Sequence, residues 1–96
     1  MKKEINYELM VILKPNLPEN VRNAAVEKIQ SILTTTEATI KMTDNWGKRY
    51  LAYPIMKHNE GYYMVYQFDL KAGKVGEINK SLNLVNQVLR FIILNK

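Results

Sequence analysis

One stretch of the chain, residues 45–55, concentrates the side chains that could do chemistry. It carries two adjacent cations, Lys48 and Arg49. Aromatic side chains stand on either side of them: Trp46, Tyr50 and Tyr53. Cations can pair with phosphate groups, and aromatic rings can stack on unpaired bases or on arginine planes. The stretch therefore indicates contact with RNA and with a protein partner rather than catalysis.

Positive charge is concentrated around this stretch. The 96 residues carry a net charge of +5, which favours polyanionic partners. Between residues 41 and 58 a single acid, Asp44, opposes the cations Lys41, Lys48, Arg49 and Lys57. A second basic pair, Lys2 and Lys3, stands near the N-terminus. We expect RNA contact at Lys48 and Arg49, with a contribution from Lys2 and Lys3.

No arrangement of residues supports an enzyme. The chain has no cysteine and a single histidine, His58, which we interpret as a solvated residue of a polar turn. The carboxylates are scattered, without the paired spacing that general acid–base catalysis uses. Residues 73–76, Gly-Lys-Val-Gly, match neither a phosphate loop nor a dinucleotide fingerprint. We expect no catalytic residues, metal, cofactor or small-molecule substrate, and the apolar runs are too short to span a membrane.

The hydrophobic pattern predicts six elements that could hold the stretch in place. Strands are predicted over residues 5–13, 39–55, 62–70 and 88–94, helices over residues 18–34 and 72–83, and a turn over residues 57–61. The order β-α-β-β-α-β predicts a single ferredoxin-like α+β domain over residues 1–96. Right-handed crossovers place both helices on one face of a four-stranded antiparallel sheet.

Three further features of the sheet are predicted. Because the last strand is apolar throughout, we expect the first and last strands to be its central pair. Gly47 is expected at a bulge, and Pro54 at an edge or at the start of a loop.

The sheet face opposite the helices is expected to be apolar. Alternation along the strands directs one set of side chains to the helices and a second set away from them. The second set is Met10, Ile12, Tyr63, Val65, Ile92 and Leu94, with Arg90 at one end. A contiguous apolar surface of this kind is typical of a site that binds a partner.

Several segments together resemble one known family. They are residues 7–12 with Pro15, the run Trp46–Ile55, Gly61-Tyr62-Tyr63 with Phe68, and Val88-Leu89-Arg90. On these segments the chain resembles bacterial small-subunit ribosomal protein S6 over nearly its whole length. The resemblance implies the ferredoxin-like fold. It also implies a structural role without catalysis in the 30S subunit of cytoplasmic ribosomes.

The resemblance also implies two partners and a set of contact residues. The family binds the central domain of 16S ribosomal RNA as a heterodimer with small-subunit ribosomal protein number eighteen. By that resemblance Lys48 and Arg49 take an RNA-contact role, Arg90 is the cation beside Leu89, and Tyr50 stands where a second arginine is common. With the basic pair near the N-terminus added, the predicted RNA-binding set is Lys48, Arg49, Arg90, Lys2 and Lys3. With the apolar sheet face added, the predicted partner-protein set is Trp46, Tyr50, Tyr53, Met10, Ile12, Tyr63 and Ile92.

Two other functions stay open for this topology. One is a free-standing RNA-recognition module, because residues 61–66 faintly resemble the signature whose aromatics stack bases. In that reading Tyr63 would stack on a base without any protein partner. The other is a regulatory domain that binds a small ligand, which would need a ligand pocket and self-association.

Overall fold

A computed structural model describes residues 4–55 and 57–95 of the chain. It contains strands β1 (Glu4–Leu13), β2 (Thr39–Ile55), β3 (His58–Lys71) and β4 (Val88–Asn95), and helices α1 (Glu19–Thr35) and α2 (Val75–Leu82). The predicted order β-α-β-β-α-β is confirmed. The predicted turn over residues 57–61 is mostly strand, because Ile55 already pairs with His58. The second helix begins later than predicted, after Gly73, whose φ of 92° is left-handed.

The four strands form one antiparallel sheet in the order β2-β3-β1-β4. The prediction that the first and last strands form the central pair is therefore wrong: β1 and β3 are central, and β4 is an edge. The apolar composition of β4 has another cause. Its residues Phe91 and Ile93 pack against the core, whereas Ile92 and Leu94 remain 41% and 54% exposed on the opposite face.

A single hydrophobic core joins the sheet to both helices. Alternate residues of β1 and β3 enter it, and the largest that are fully buried are Leu9, Val11, Leu13, Tyr66, Phe68 and Leu70. The helices contribute Ala25, Ile29 and Leu33 from α1 and Ile78 and Leu82 from α2. Both helices thus cover the same face of the sheet, as predicted, and the other face is left for contacts.

The end of α1 is tied to the start of α2. Thr36 donates a side-chain hydrogen bond to the carbonyl of Leu33 (2.9 Å), which helps to close the helix. The next residue, Glu37, adopts a left-handed φ of 68° and forms a 2.6 Å ion pair with Lys74. The hydrogen bond and charge of Lys74 lower the pKa of Glu37 and, reciprocally, the pKa of Lys74 is raised.

Candidate RNA and protein interface

The edge strand β2 is interrupted at three places, and the middle interruption directs Trp46. Pairing with β3 shifts register between Asn45 and Gly47, and Gly47 has a φ of 75°. Asn45 accepts a hydrogen bond from the Gly47 amide (2.9 Å) through Oδ1. Trp46 Nε1 donates to Asp44 Oδ2 at 3.0 Å. The predicted bulge at Gly47 is therefore confirmed, and its local hydrogen bonds fix the position of the indole.

The indole lies on the sheet face that the helices leave free. There Trp46 stacks on Tyr63, with ring centroids 6.2 Å apart and an interplanar angle of 13°. Trp46 remains 40% exposed. Such a pair contributes roughly 0.5–1.5 kcal/mol beyond the area that it buries. The two aromatics thus form one partly exposed platform beside the strip of Met10 and Ile92.

The last residues of β2, Leu51–Ile55, form an arm that lies against the same face. Pairing with β3 is irregular between Tyr50 and Ile55, and Pro54 in this segment lies on an edge strand, as predicted. The arm and the sheet enclose a cleft of about 240 Å³. Its lining from the arm is Leu51, Ala52, Tyr53 and Ile55, and from the sheet Met10, Ile12, Tyr63, Arg90 and Ile92.

A hydrogen bond joins the arm to the opposite edge of the sheet. Arg90 of β4 donates to the hydroxyl of Tyr53 through Nη1 at 3.1 Å. Leu51 of the arm and Ile12 of β1 both pack against Gly61, where an added Cβ would collide with Ile12 Cγ2. Tyr53 itself stays 61% exposed, so the arm narrows the free face without sealing it.

The arm changes the expectation for the apolar strip. The strip was expected to lie uncovered, but Ile12 and Val65 are only 7% and 2% exposed. In this arrangement Ile12 offers almost no surface to a partner. Ile92 and Leu94 are exposed, and Met10 is half-buried at the margin of the cleft. The accessible part of the strip therefore runs along β4 and the rim of the arm.

The two adjacent cations of β2 point to opposite sides of the sheet. Arg49 pairs with Gly61, which lies on the free face against Ile12. Lys48 pairs with Tyr62 on the helix side and forms a 3.8 Å salt bridge with Glu60. Successive residues of a strand face opposite ways, so simple alternation already predicts this separation. Arg49 joins Arg90 on the free face, and Lys48 does not.

Lys48 lies with residues that sequence reasoning left out. A cleft of about 300 Å³ at the tip of the hairpin is lined by Pro15, Asn16, Lys48, Lys57, His58, Asn59 and Glu60. His58 belongs to β3 and is half-buried rather than a freely solvated turn residue. The short connection between Ile55 and His58 brings Lys57 and His58 towards Lys48. The pairing register of the β2–β3 hairpin, counted from Gly47 onwards, would have predicted that Lys48 lies near these residues.

Of the remaining predicted site residues, Tyr50 lies in the described part of the chain and the basic pair near the N-terminus does not. Tyr50 is 82% exposed, which suits a contact with another molecule. Lys2 and Lys3 lie outside the described residues.

Among residues 4–55 and 57–95 no group of three or more His, Cys, Asp or Glu side chains could hold a metal ion. No helix in the described part of the chain has the length and apolar character needed to cross a membrane.

Comparison with known proteins gives a consistent result. The family model described as ribosomal protein S6 matches residues 6–95. The small ribosomal subunit protein bS6 of Fusobacterium nucleatum is 37% identical over 90 residues, covering 94% of this chain and 96% of the relative. That of Alkaliphilus oremlandii is 40% identical over 88 residues, covering 92% and 93%. The crystal structure of 30S ribosomal protein S6 from Thermotoga maritima superposes with a TM-score of 0.92 at 30% identity, covering 98% of this chain and 89% of that one.

Proposed function

Because the chain belongs to the ribosomal protein S6 family, whose members are small-subunit ribosomal proteins and not enzymes, we propose that it binds the central domain of 16S ribosomal RNA together with small-subunit protein number eighteen. One observation carries this proposal. The free face of the sheet brings two cations, Arg49 and Arg90, to the margins of an exposed aromatic and aliphatic surface. Such a face can meet phosphates and a protein surface at once.

The RNA half of the proposal rests on few cations. Arg90 is exposed, and one of its guanidinium nitrogens already bonds Tyr53. Arg49 is exposed and has no side-chain partner among the described residues. Lys48 is partly neutralised by Glu60. With about three phosphate contacts, log affinity against log salt should fall with a slope of about −2 to −3. RNA binding through so few phosphate contacts is weak, and a second protein that adds contacts would strengthen it.

The protein half rests on apolar surface that is exposed in the chain alone. Trp46, Tyr50, Tyr53 and Ile92 are all at least 40% exposed, and Met10 and Tyr63 lie beside them in the cleft lining. Aromatic residues are enriched at protein interfaces because they bury a large area at low conformational cost. We assign these residues, rather than the buried Ile12, to the contact with protein number eighteen.

For the free-standing RNA-recognition alternative, the predicted stacking residue Tyr63 is already partly covered. That mode needs an accessible aromatic on the sheet on which a base can stack. Tyr63 is the candidate, but Trp46 already stacks on it at 6.2 Å. Trp46 covers one face of the Tyr63 ring, so a base that stacks on that face would have to displace the indole, whose position the Asp44 hydrogen bond holds.

The proposal is tested by removing the two adjacent cations of β2, Lys48 and Arg49. The variant Lys48→Ala/Arg49→Ala should assemble more weakly onto the central-domain RNA in the presence of protein number eighteen, with a salt slope shallower by about 1–2 units. A matched control, Lys28→Ala/Lys80→Ala, removes the same charge from exposed positions on the two helices and should bind like the unaltered chain. Equal affinity of the two variants would refute the assignment: an equal loss would show that binding depends on net charge alone, and no loss in either would show that Lys48 and Arg49 do not contribute.

A further inference from the structure

The two edges of the sheet differ in how they are protected. β2 carries three register irregularities, the cations Lys48 and Arg49, and Pro54, all features that discourage another strand from pairing. β4 pairs with β1 on one side, and no described strand lies on its other side. Its sequence, Val-Leu-Arg-Phe-Ile-Ile-Leu-Asn, has no proline or glycine and one charge, Arg90. The Val88 amide donates to the Val85 carbonyl (3.1 Å). Beyond Val88, the outer backbone groups of β4 face no described strand and can accept a further one.

A groove lined mainly by apolar residues, with Asn79 and Asn83 among them, runs beside this free edge. It lies between β4 and the α2 region, has a volume of about 480 Å³, and is lined on the helix side by Val75, Asn79, Leu82 and Val85. Phe91 and Ile93 of β4 form the opposite wall. A strand added to β4 would lie about 4.8 Å away, and alternate side chains would point to the helix side of the sheet. Those side chains would enter the groove.

We propose that the edge of β4 binds an extended segment of another protein as a fifth, antiparallel strand, with alternate apolar side chains seated in the groove. The backbone groups of β4 would supply affinity, and the groove would supply selectivity, as in other cases of strand addition. The net charge of +5 and the exposed Arg90, whose guanidinium lies on the Tyr53 side of this edge, favour a segment that also carries an acidic residue on that side. The groove lies on the helix side of the sheet, whereas Arg90 belongs to the free face and is shared with the proposed ribosomal contacts.

A second copy of the same chain fits this edge poorly. The residues that its β4 would offer to the groove, Phe91 and Ile93, already pack against its own core. They cannot fill a second groove at the same time. Each copy also carries a charge of +5, which opposes association. The occupant is therefore a segment whose side chains are free on both faces.

The test uses a synthetic octapeptide that alternates valine with threonine and carries one glutamate in a threonine position. Titrated into the ¹⁵N-labelled chain, it should shift the resonances of β4 and of the groove lining. It should also slow hydrogen exchange at the alternate β4 amides that do not bond to β1. The matched control has the same sequence with N-methyl groups on alternate residues, which remove the hydrogen-bond donors along one edge. We expect no binding from this control.

A variant of the protein provides a second, independent check. Asn79 is exposed on α2 and lines the groove, so Asn79→Trp should fill it and weaken peptide binding by about tenfold, which corresponds to about 1.4 kcal/mol. Asn23→Trp, at an exposed position of α1, should bind like the unaltered chain. The proposal is overturned if the N-methylated peptide binds equally well, if Asn79→Trp has no effect, or if the only change is dimerisation of the chain.

Discussion

Replacing Tyr66 by phenylalanine should stabilise the protein. The Tyr66 side chain is fully buried, and its hydroxyl has no hydrogen-bond partner among the described residues. An unsatisfied buried polar group costs about 1–3 kcal/mol, and phenylalanine keeps the ring while removing that group. We therefore expect Tyr66→Phe to raise the free energy of unfolding by about 1 kcal/mol or more. A gain of 1 kcal/mol corresponds to a rise of roughly 4–8 °C in Tm for a domain of this size.

The same substitution should change the response to alkaline pH. Burial raises the pKa of Tyr66 from 10.0 to about 12. The unfolded chain therefore loses the Tyr66 proton at a lower pH than the folded chain, so the titration of this group leaves the free energy of unfolding unchanged below the unfolded pKa and lowers it as the pH rises from there towards the folded pKa. Over that window the free energy of unfolding should fall by at most about 3 kcal/mol. The Tyr66→Phe variant lacks this titrating group, so its free energy of unfolding should fall less over the same pH range.

The measurement is urea unfolding at pH 7 and at several pH values between 9 and 11. Tyr62→Phe is the matched control, because the Tyr62 hydroxyl accepts a hydrogen bond from Asn45 at 2.7 Å, and its removal should give no gain. If Tyr66→Phe is less stable than the unaltered chain at pH 7, or loses stability equally steeply at high pH, the reasoning about this hydroxyl is refuted.

Two further substitutions test how the arm is held. Gly61→Ala should destabilise the fold by about 1–3 kcal/mol through overpacking against Ile12. Its control, Gly76→Ala on α2, meets open space and should gain about 0.5–1 kcal/mol in chemical denaturation. Tyr53→Phe removes the acceptor for Arg90, so it should cost below about 1 kcal/mol at this exposed site while speeding amide exchange in the arm. Unchanged arm exchange would contradict a role for that bond.

Local patterns in the sequence predicted much of the fold correctly. Alternation along β1 identified the core-facing residues, because the two-residue period depends only on the strand itself. The bulge at Gly47 was also predictable, since its left-handed φ favours glycine. The edge position of β4 was not predictable from its composition. It depends on the long-range pairing of β1 with β3. An apolar strand need not be central, because one of its faces can also stay exposed.

The geometry of the candidate site was harder to predict for the same reason. The burial of Ile12 depends on an arm that leaves its regular pairing after Tyr50 and reaches Arg90 across the sheet. Neither contact has a signal in the spacing of the residues. The separation of Lys48 from Arg49 is different, because strand alternation alone predicts that neighbours face opposite sides.

We propose that this chain binds the 16S central domain through its free sheet face, in cooperation with small-subunit protein number eighteen. The most direct measurement is the affinity of the chain for that RNA with and without the second protein, at several salt concentrations, for the unaltered chain and for Arg49→Ala/Arg90→Ala. We predict weak binding alone, tight binding together, and a clear loss of the joint affinity in the variant. Full affinity without the second protein, or an unchanged affinity in the variant, would contradict the account.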